Sequence, residues 1–143
     1  MCSDFSARPP SRRTKIMIVD DSPVCCEVAS LILRQAGYAV VSVYSPIGFV
    51  NLLRREEPDL VLVDVAMPAM SGTKLVELAK KKKLGNCAIV LYSDRPPEEL
   101  ERFVAECGAD GYISKSADAP ALKAATAKFI ARRARAAAAN PER

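Results

Sequence analysis

The chain has 143 residues, 50% of them hydrophobic and 27% charged, which allows one domain with an apolar core but hardly two. It contains no histidine, which excludes Ser-His and Cys-His nucleophile pairs and a phosphohistidine on this chain. The net charge of +4 comes from basic residues near the two ends, because acidic side chains outnumber basic ones over residues 15–120.

The five cysteines are odd in number, and their spacing fits no zinc pattern. They are therefore expected to be small buried hydrophobic residues in a reducing compartment. No apolar run reaches membrane-spanning length, and the polar residues 1–13 lack the apolar segment of a secretory signal. We expect a cytoplasmic protein without a membrane partner.

The first predicted strand is the apolar run Ile16 to Val19, which ends in the carboxylates Asp20 and Asp21. Ser22 is predicted to cap the helix that follows, and Gly37 is predicted to end it. Residues 1–13, which precede this strand, are predicted to be a disordered leader.

The next elements lead to a second strand that ends in a carboxylate. The segment AVVSVYS from Ala39 alternates enough to be an edge strand, and Pro46 is predicted to open a short helix. The unbroken apolar run Leu60 to Val63 predicts a strand buried on both faces, as in the middle of a parallel sheet. Asp64 follows it, either as a strand cap in solvent or as part of a site.

Ser71 is predicted to cap a helix that runs from Gly72 to about Lys83. The lysines from Lys80 to Lys83 suit a solvated helix end, where cations complement the helix dipole, better than a nucleic-acid patch. The segment AIVLYS from Ala88 predicts a fourth strand.

The predicted helix from Pro96-Pro97 ends near Gly108, and GYISK from Gly111 is predicted to be a fifth, short strand. Asp118 is predicted to cap the last helix. The end of that helix has almost no large apolar residue, so it is expected to fray or project beyond the domain. Five strands that alternate with five helices indicate a parallel sheet with helices on both faces.

Polar residues follow four of the predicted strands: Asp20 and Asp21, Asp64, Ser93, and Lys115. The carboxyl ends of parallel strands share one edge, so these side chains are expected to converge. Three clustered carboxylates repel each other unless a cation neutralises them, and Mg²⁺ prefers such oxygen ligands while it keeps several waters.

At these positions the chain resembles the receiver domain of two-component response regulators, in a single-domain form similar to the chemotaxis regulator. The matching pieces are VDDSP, VLVDVAMPAMSG, the serine after AIVLY, and the lysine in GADGYISK. The resemblance covers roughly residues 15–130. It implies a flavodoxin-like, doubly wound α/β fold with strand order 2-1-3-4-5, a receiver domain over residues 14–131, and a basic, partly helical tail over residues 132–143.

The resemblance also implies the roles of the site residues. Asp64 would accept a phosphoryl group from a sensor histidine kinase or a histidine phosphotransfer protein. Asp20, Asp21, Asp64 and the backbone carbonyl of Ala66 would hold Mg²⁺. The protein would then be a phosphoprotein of a phosphorelay, with only self-catalysed phosphoryl uptake and autodephosphorylation as activities.

Three further residues take part in the implied switch. Lys115 would pair with the phosphoryl oxygens, and Ser93 would donate its hydroxyl to them. Tyr112 would turn inward when Ser93 moves. An aspartyl phosphate adds charge and acceptor oxygens, which can bias a two-state loop.

The sequence departs from the family pattern at three positions that bear on the phosphorylation of Asp64. Asp94 stands where a small residue is usual, so its charge must point away, pair with Arg95, or weaken phosphorylation. Ser116 replaces a proline that commonly carries a cis bond, so the Lys115 loop is expected to be built differently. Ala66 has no side chain to orient or exclude water, which predicts an altered phosphoryl lifetime that decay measurements on Ala66→Asn would test.

No output domain is expected, so the signal would pass to a partner protein. The family's usual docking surface lies on the last two helices and the fifth strand, here with Glu98, Glu101, Arg102, Tyr112 and the basic end after Lys128. The alternative is an adaptor, or pseudo-receiver, that works without phosphorylation, which Asp94 and Ser116 favour. A phosphatase with an aspartyl nucleophile is disfavoured because the first strand lacks D-x-D, and nucleotide or nucleic-acid binding is not expected.

Overall fold

The computed structural model describes residues 13–82 and 86–139. Most of the predicted leader, Lys83 of the lysine run, and residues 140–143 lie outside this part of the chain. The described elements follow one another as β1 (Lys15–Val19), α1 (Pro23–Gln35), β2 (Ala39–Val43), α2 (Phe49–Glu56), β3 (Leu60–Val63), α3 (Gly72–Lys82), β4 (Ala88–Ser93), α4 (Pro97–Cys107), β5 (Gly111–Ser114) and α5 (Ala119–Ala139).

The five strands form one parallel sheet in the order β2-β1-β3-β4-β5, which confirms the predicted α/β class and strand order. Helices α2, α3 and α4 pack on one face, and α1 and α5 pack on the other. All four residues of β3 are buried, because Leu60 and Leu62 enter one apolar cluster while Val61 and Val63 enter the other. The sheet is therefore covered on both faces, and polar side chains reach solvent at its ends.

Side chains at the helix starts have the predicted capping contacts. The hydroxyl of Ser22 accepts from the backbone N–H of Cys25 at 3.3 Å. A carboxylate oxygen of Asp118 accepts from the N–H of Ala121 at 2.9 Å. These bonds satisfy donors that the first helical turn leaves unpaired, so each cap fixes where its helix begins.

Two elements differ from the sequence-based expectation. Helix α2 begins at Phe49 rather than Pro46, because Gly48 before it adopts a left-handed conformation with a φ of 82°. Helix α5 remains helical to Ala139, and Arg133 contacts the body of the domain. None of the described helices combines the length and apolar character needed to cross a bilayer.

Candidate functional site

The backbone fixes three site residues, Asp20, Asp64 and Lys115, at the carboxyl edge of the sheet. Each directly follows a strand, and each donates its backbone N–H to the neighbouring strand at 2.9 Å. The accepting carbonyls belong, in that order, to Val43, Val19 and Ser93. The ladder thus extends one residue beyond the strands, so these side chains leave the sheet from rigid positions.

Three carboxylates converge at this edge, as the spacing of the sequence predicted. Asp20, Asp21 and Asp64 each offer an oxygen, and these oxygens all lie within 4.8 Å of one another. Asp20 is 1% exposed and Asp64 is 7% exposed, while Asp21 lies open to solvent. Oxygen donors of this kind match the preference of Mg²⁺, and the exposed side of the cluster leaves room for water ligands.

Lys115 supplies the positive charge that offsets the buried carboxylates. Its Nζ lies 2.7 Å from Oδ2 of Asp20 and 3.3 Å from Oδ1 of Asp64. Burial alone would lower the pKa of the Lys115 ammonium, but the hydrogen bond that it donates to Asp20 and the charges of Asp64 and Asp20 outweigh this effect, so the pKa is raised. Lys115 is therefore protonated at physiological pH.

The environment of Asp64 makes its carboxylate more basic than an exposed one. Burial raises the pKa of this carboxyl group, and the charge of Asp20 raises it further. The charge of Lys115 opposes these effects, as does a hydrogen bond to the backbone of Ala66. The effects that raise the pKa of Asp64 outweigh those that lower it.

Two neighbours of the site were not singled out by the sequence. The ring of Tyr92 lies under Lys115, with Nζ 5.8 Å from the ring centroid, and the Cys26 thiol donates to the carbonyl of Asp20 at 3.3 Å. Burial, with a smaller contribution from Asp20, raises the pKa of Cys26 to about 12, so this thiol adds no negative charge. The sequence gives no sign of these two contacts, which depend on the packing of α1 and β4.

Gly72 also acts at the site through its missing side chain. A Cβ at this position would overlap the backbone carbonyl of Asp64 and would lie 2.9 Å from Cγ1 of Val63. Its N–H donates to the carbonyl of Val65 at 3.0 Å. The glycine of the VLVDVAMPAMSG segment therefore lets α3 begin directly against the backbone that presents Asp64.

Ser93 and the residues after it form the β4–α4 loop beside the site. Ser93 is 1% exposed, and its hydroxyl accepts from the backbone N–H of Arg95 at 3.1 Å. Arg95 pairs with Glu99 at 3.2 Å. The possible ion pair between Asp94 and Arg95 is therefore not formed. Asp94 itself is exposed to solvent.

The loop around Lys115 lacks the cis peptide bond that a proline at position 116 would commonly supply. No peptide bond among the described residues is cis. The hydroxyls of Ser114 and Ser116 lie 2.7 Å apart, and the N–H of Ser116 donates to the Ser114 hydroxyl at 3.1 Å. These contacts between Ser114 and Ser116 stabilise the turn that contains Lys115.

Tyr112 lies apart from the carboxylates, at the border between β5 and α4. It is half-buried against the apolar cluster beneath α4, and its hydroxyl lies 3.5 Å from Oε2 of Glu101. Glu98, Glu101, Arg102 and Lys128 are all exposed on the outer faces of α4 and α5. The exposure of these residues leaves them accessible, but it assigns them no partner.

An open parallel sheet with this acidic edge and its lysine defines a CheY-like receiver domain of two-component systems. Residues 16–127 match the sequence profile of the family described as response regulator receiver domain, and the chain belongs to that family.

Solved structures from several organisms resemble the chain. A CheY-like receiver domain protein from Methanospirillum hungatei is 25% identical with a TM-score of 0.77, over 87% of this chain and 98% of that one. A two-component response regulator of the LuxR family from Aurantimonas is 30% identical with a TM-score of 0.74, over 85% and 88% of the two chains. The chemotaxis protein CheY4 of Vibrio cholerae, at 22% identity, shares the fold with a TM-score of 0.76, over 82% and 99%.

Proposed function

We propose that Asp64 accepts a phosphoryl group from a phosphohistidine of a sensor histidine kinase or a histidine phosphotransfer protein. A bond forms between a carboxylate oxygen of Asp64 and phosphorus while the phosphorus–nitrogen bond of the donor breaks and the imidazole leaves. The observation that carries this proposal is the contact of Lys115 with both Asp20 and Asp64. A carboxylate can approach an anionic phosphoryl group only where fixed cations offset the charge.

The acidic cluster fits Mg²⁺ as the cofactor of this reaction. Asp20, Asp21 and Asp64 supply oxygens within 4.8 Å of one another, and the backbone carbonyl of Ala66 would complete the protein ligands. When bound, Mg²⁺ supplies positive charge that offsets the charge of the phosphoryl group. Lys115 would pair with the phosphoryl oxygens and add a second positive charge.

Ser93 and Tyr112 would transmit the state of Asp64 to a target protein. The Ser93 hydroxyl now accepts from Arg95, and it would turn to donate to the phosphoryl group. Tyr112 would then leave Glu101 and move inward, which changes the surface of α4, β5 and α5. A bistable loop of this kind turns a local charge change into a different docking surface.

The same proposal includes the location, the domain limits and the activities of the protein. It would work in the cytoplasm as a receiver domain over residues 14–131 with a basic tail, and nucleic acid would not be its target. Apart from phosphoryl uptake and hydrolysis of its own aspartyl phosphate, it would catalyse no reaction.

Asp94 favours a second candidate, a pseudo-receiver adaptor that signals without phosphorylation. Arg95 pairs with Glu99, so it leaves the charge of Asp94 uncompensated on the loop that would face the phosphoryl group. A like charge on this loop would oppose the approach of an anionic phosphoryl group. Phosphoryl uptake decides between the two candidates.

The test is incubation with acetyl phosphate and Mg²⁺, followed by intact-mass measurement. We expect a mass gain of one phosphoryl group, with acetate as the leaving group, and no gain for Asp64→Ala. Lys115→Ala should slow uptake strongly while Lys123→Ala, a lysine on α5 outside the site, should not. No uptake by the wild type, or equal uptake by Asp64→Ala, would favour the adaptor.

A further inference from the structure

Arg95 connects the Ser93 hydroxyl to the first turn of α4. Its backbone N–H donates to that hydroxyl at 3.1 Å, and its guanidinium lies 3.2 Å from the Glu99 carboxylate. Glu99 belongs to the first turn of α4, which begins at Pro97. Ser93 is therefore linked by a hydrogen bond to the residue that carries the guanidinium.

Arg95 also lines open space that includes the residues directly after the phosphoacceptor. A groove of about 510 Å³ runs between the β3–α3 loop and α4, and both Arg95 and Ala66 line it. Ala66 is the second residue after Asp64, and its methyl group leaves the groove open where a longer side chain would fill it. The ion pair between Arg95 and Glu99 is partly exposed, with 45% and 33% of the two side chains accessible, so it can be exchanged at little cost.

We propose that Arg95 is a phosphoryl-sensing residue that exchanges Glu99 for the phosphoryl oxygens on Asp64. The inference rests on the proposed function, since it needs a phosphoryl group at Asp64. In the free protein the guanidinium is held by Glu99. Once Ser93 turns to the phosphoryl group, its bond to the N–H of Arg95 is lost, and the guanidinium crosses the groove above Ala66.

Charge favours this exchange because a phosphoryl group carries more negative charge than a single carboxylate and offers three acceptor oxygens. A guanidinium binds such groups through two parallel hydrogen bonds, which a lysine cannot reproduce. Glu99 therefore acts as a competitor: it keeps Arg95 on α4 until the phosphoryl group arrives. The exchange releases the first turn of α4 from the β4–α4 loop.

A second ion pair on α4 provides a matched control. Arg102 and Glu106 have the same i,i+4 spacing and lie 3.9 Å apart, but they stand in the second half of the helix and do not line the groove. Arg102 belongs to the predicted docking surface, so the control variant is Glu106→Gln, which changes the charge of α4 as much as Glu99→Gln does. It separates an effect at the site from a general effect of helix charge.

The experiment is a titration of the full chain with beryllofluoride and Mg²⁺, followed by fluorine NMR, because this complex binds a carboxylate as a phosphoryl mimic. We expect Arg95→Gln to weaken binding about tenfold, Arg95→Lys to weaken it less, and Glu99→Gln to tighten it about threefold. In the double variant Arg95→Gln with Glu99→Gln, the gain from Glu99→Gln should vanish, because Glu99 acts only through Arg95. Glu106→Gln should bind as the wild type does.

Wild-type binding by Arg95→Gln would overturn the inference, as would a Glu99→Gln gain that persists without Arg95. Melting curves show whether each variant still folds. Substitutions in exposed ion pairs of this kind should leave the melting temperature unchanged. Failure of the proposed function looks different: the wild type would not bind beryllofluoride, or Asp64→Ala would bind it equally well. That result would overturn the site assignment together with the role of Arg95.

Discussion

Arg133, near the end of α5, pairs with Asp59 at the edge of the sheet opposite the acidic site. Its Nη1 lies 3.4 Å from Oδ1 of Asp59, whose side chain is 1% exposed, and its Nε donates to the carbonyl of Asn86 at 2.6 Å. Asp59 also accepts from the backbone N–H of Lys15 at 2.8 Å. The basic end of α5 is thus attached to the start of β1 and β3, beyond the predicted domain limit at residue 131.

Loss of this contact should destabilise the fold. We expect Arg133→Ala to lower the free energy of unfolding by about 2 kcal/mol, since the buried carboxylate of Asp59 loses an ion-pair contact. Arg135 on the same helix is exposed, so Arg135→Ala should change the free energy of unfolding by less than about 0.5 kcal/mol. Urea denaturation measures both, and equal losses would count against a stabilising role of this ion pair.

The hydroxyl of Thr126 offers a route to higher stability. It is fully buried on α5 and is the one buried side-chain polar atom in the described part of the chain without a hydrogen-bond partner. We expect Thr126→Val to raise the free energy of unfolding by about 1 kcal/mol, because a methyl group replaces an unsatisfied hydroxyl of similar size. Thr126→Ser keeps the hydroxyl and deletes the methyl, so it should destabilise; a gain from both variants would refute the explanation.

The raised pKa of Asp64 predicts how stability depends on pH in the absence of metal. The folded protein binds this proton more tightly than the unfolded chain does, so the charged carboxylate opposes folding above that pKa, and the penalty disappears as pH falls through it. In EDTA at neutral pH, Asp64→Asn should therefore melt at a higher temperature than the wild type, and the difference should shrink near pH 4.

The exposed residue Asp94 is the control for this pH dependence, and Asp94→Asn should leave the melting temperature nearly unchanged. Lys115 keeps its 2.7 Å contact with Asp20 in Asp64→Asn, so the variant leaves no unpaired ammonium. A lower melting temperature for Asp64→Asn at neutral pH would mean that its pairing with Lys115 outweighs the cost of burial.

Gly72→Ala should damage both the fold and the site. The added Cβ would meet the Asp64 carbonyl, which is backbone and cannot rotate away, so we expect a loss of about 1–3 kcal/mol and slower phosphoryl uptake. Gly111→Ala crowds the ring of Phe129 instead, far from the carboxylates. Comparison of uptake rates at matched folded fractions separates the two effects, and equal rates would count against a role of Gly72 in positioning Asp64.

The fold could be read from the sequence because local and long-range signals agree. Apolar runs such as Leu60 to Val63 can only be buried on both faces, and caps such as Ser22 mark where helices begin. The convergence of Asp20 and Asp64 followed from topology, since parallel strands end at one edge.

Contacts between distant side chains could not be read in this way. Arg95 was expected to have Asp94, its neighbour in sequence, as a possible partner, but one helical turn places Glu99 closer. The attachment of Arg133 depends on the length of α5 and on a carboxylate 74 positions earlier, Asp59, and neither feature has a local pattern. The clash that keeps position 72 a glycine appears only when α3 is placed against β3.

The contact between Arg133 and Asp59 also has a practical use. It places the end of α5 a full strand length, about 15 Å, from the carboxylates. A fluorophore or surface tether attached near Ala139 would stay clear of an incoming donor protein. Immobilised this way, the molecule would present its reactive edge outward in a uniform orientation, which suits measurements on single molecules.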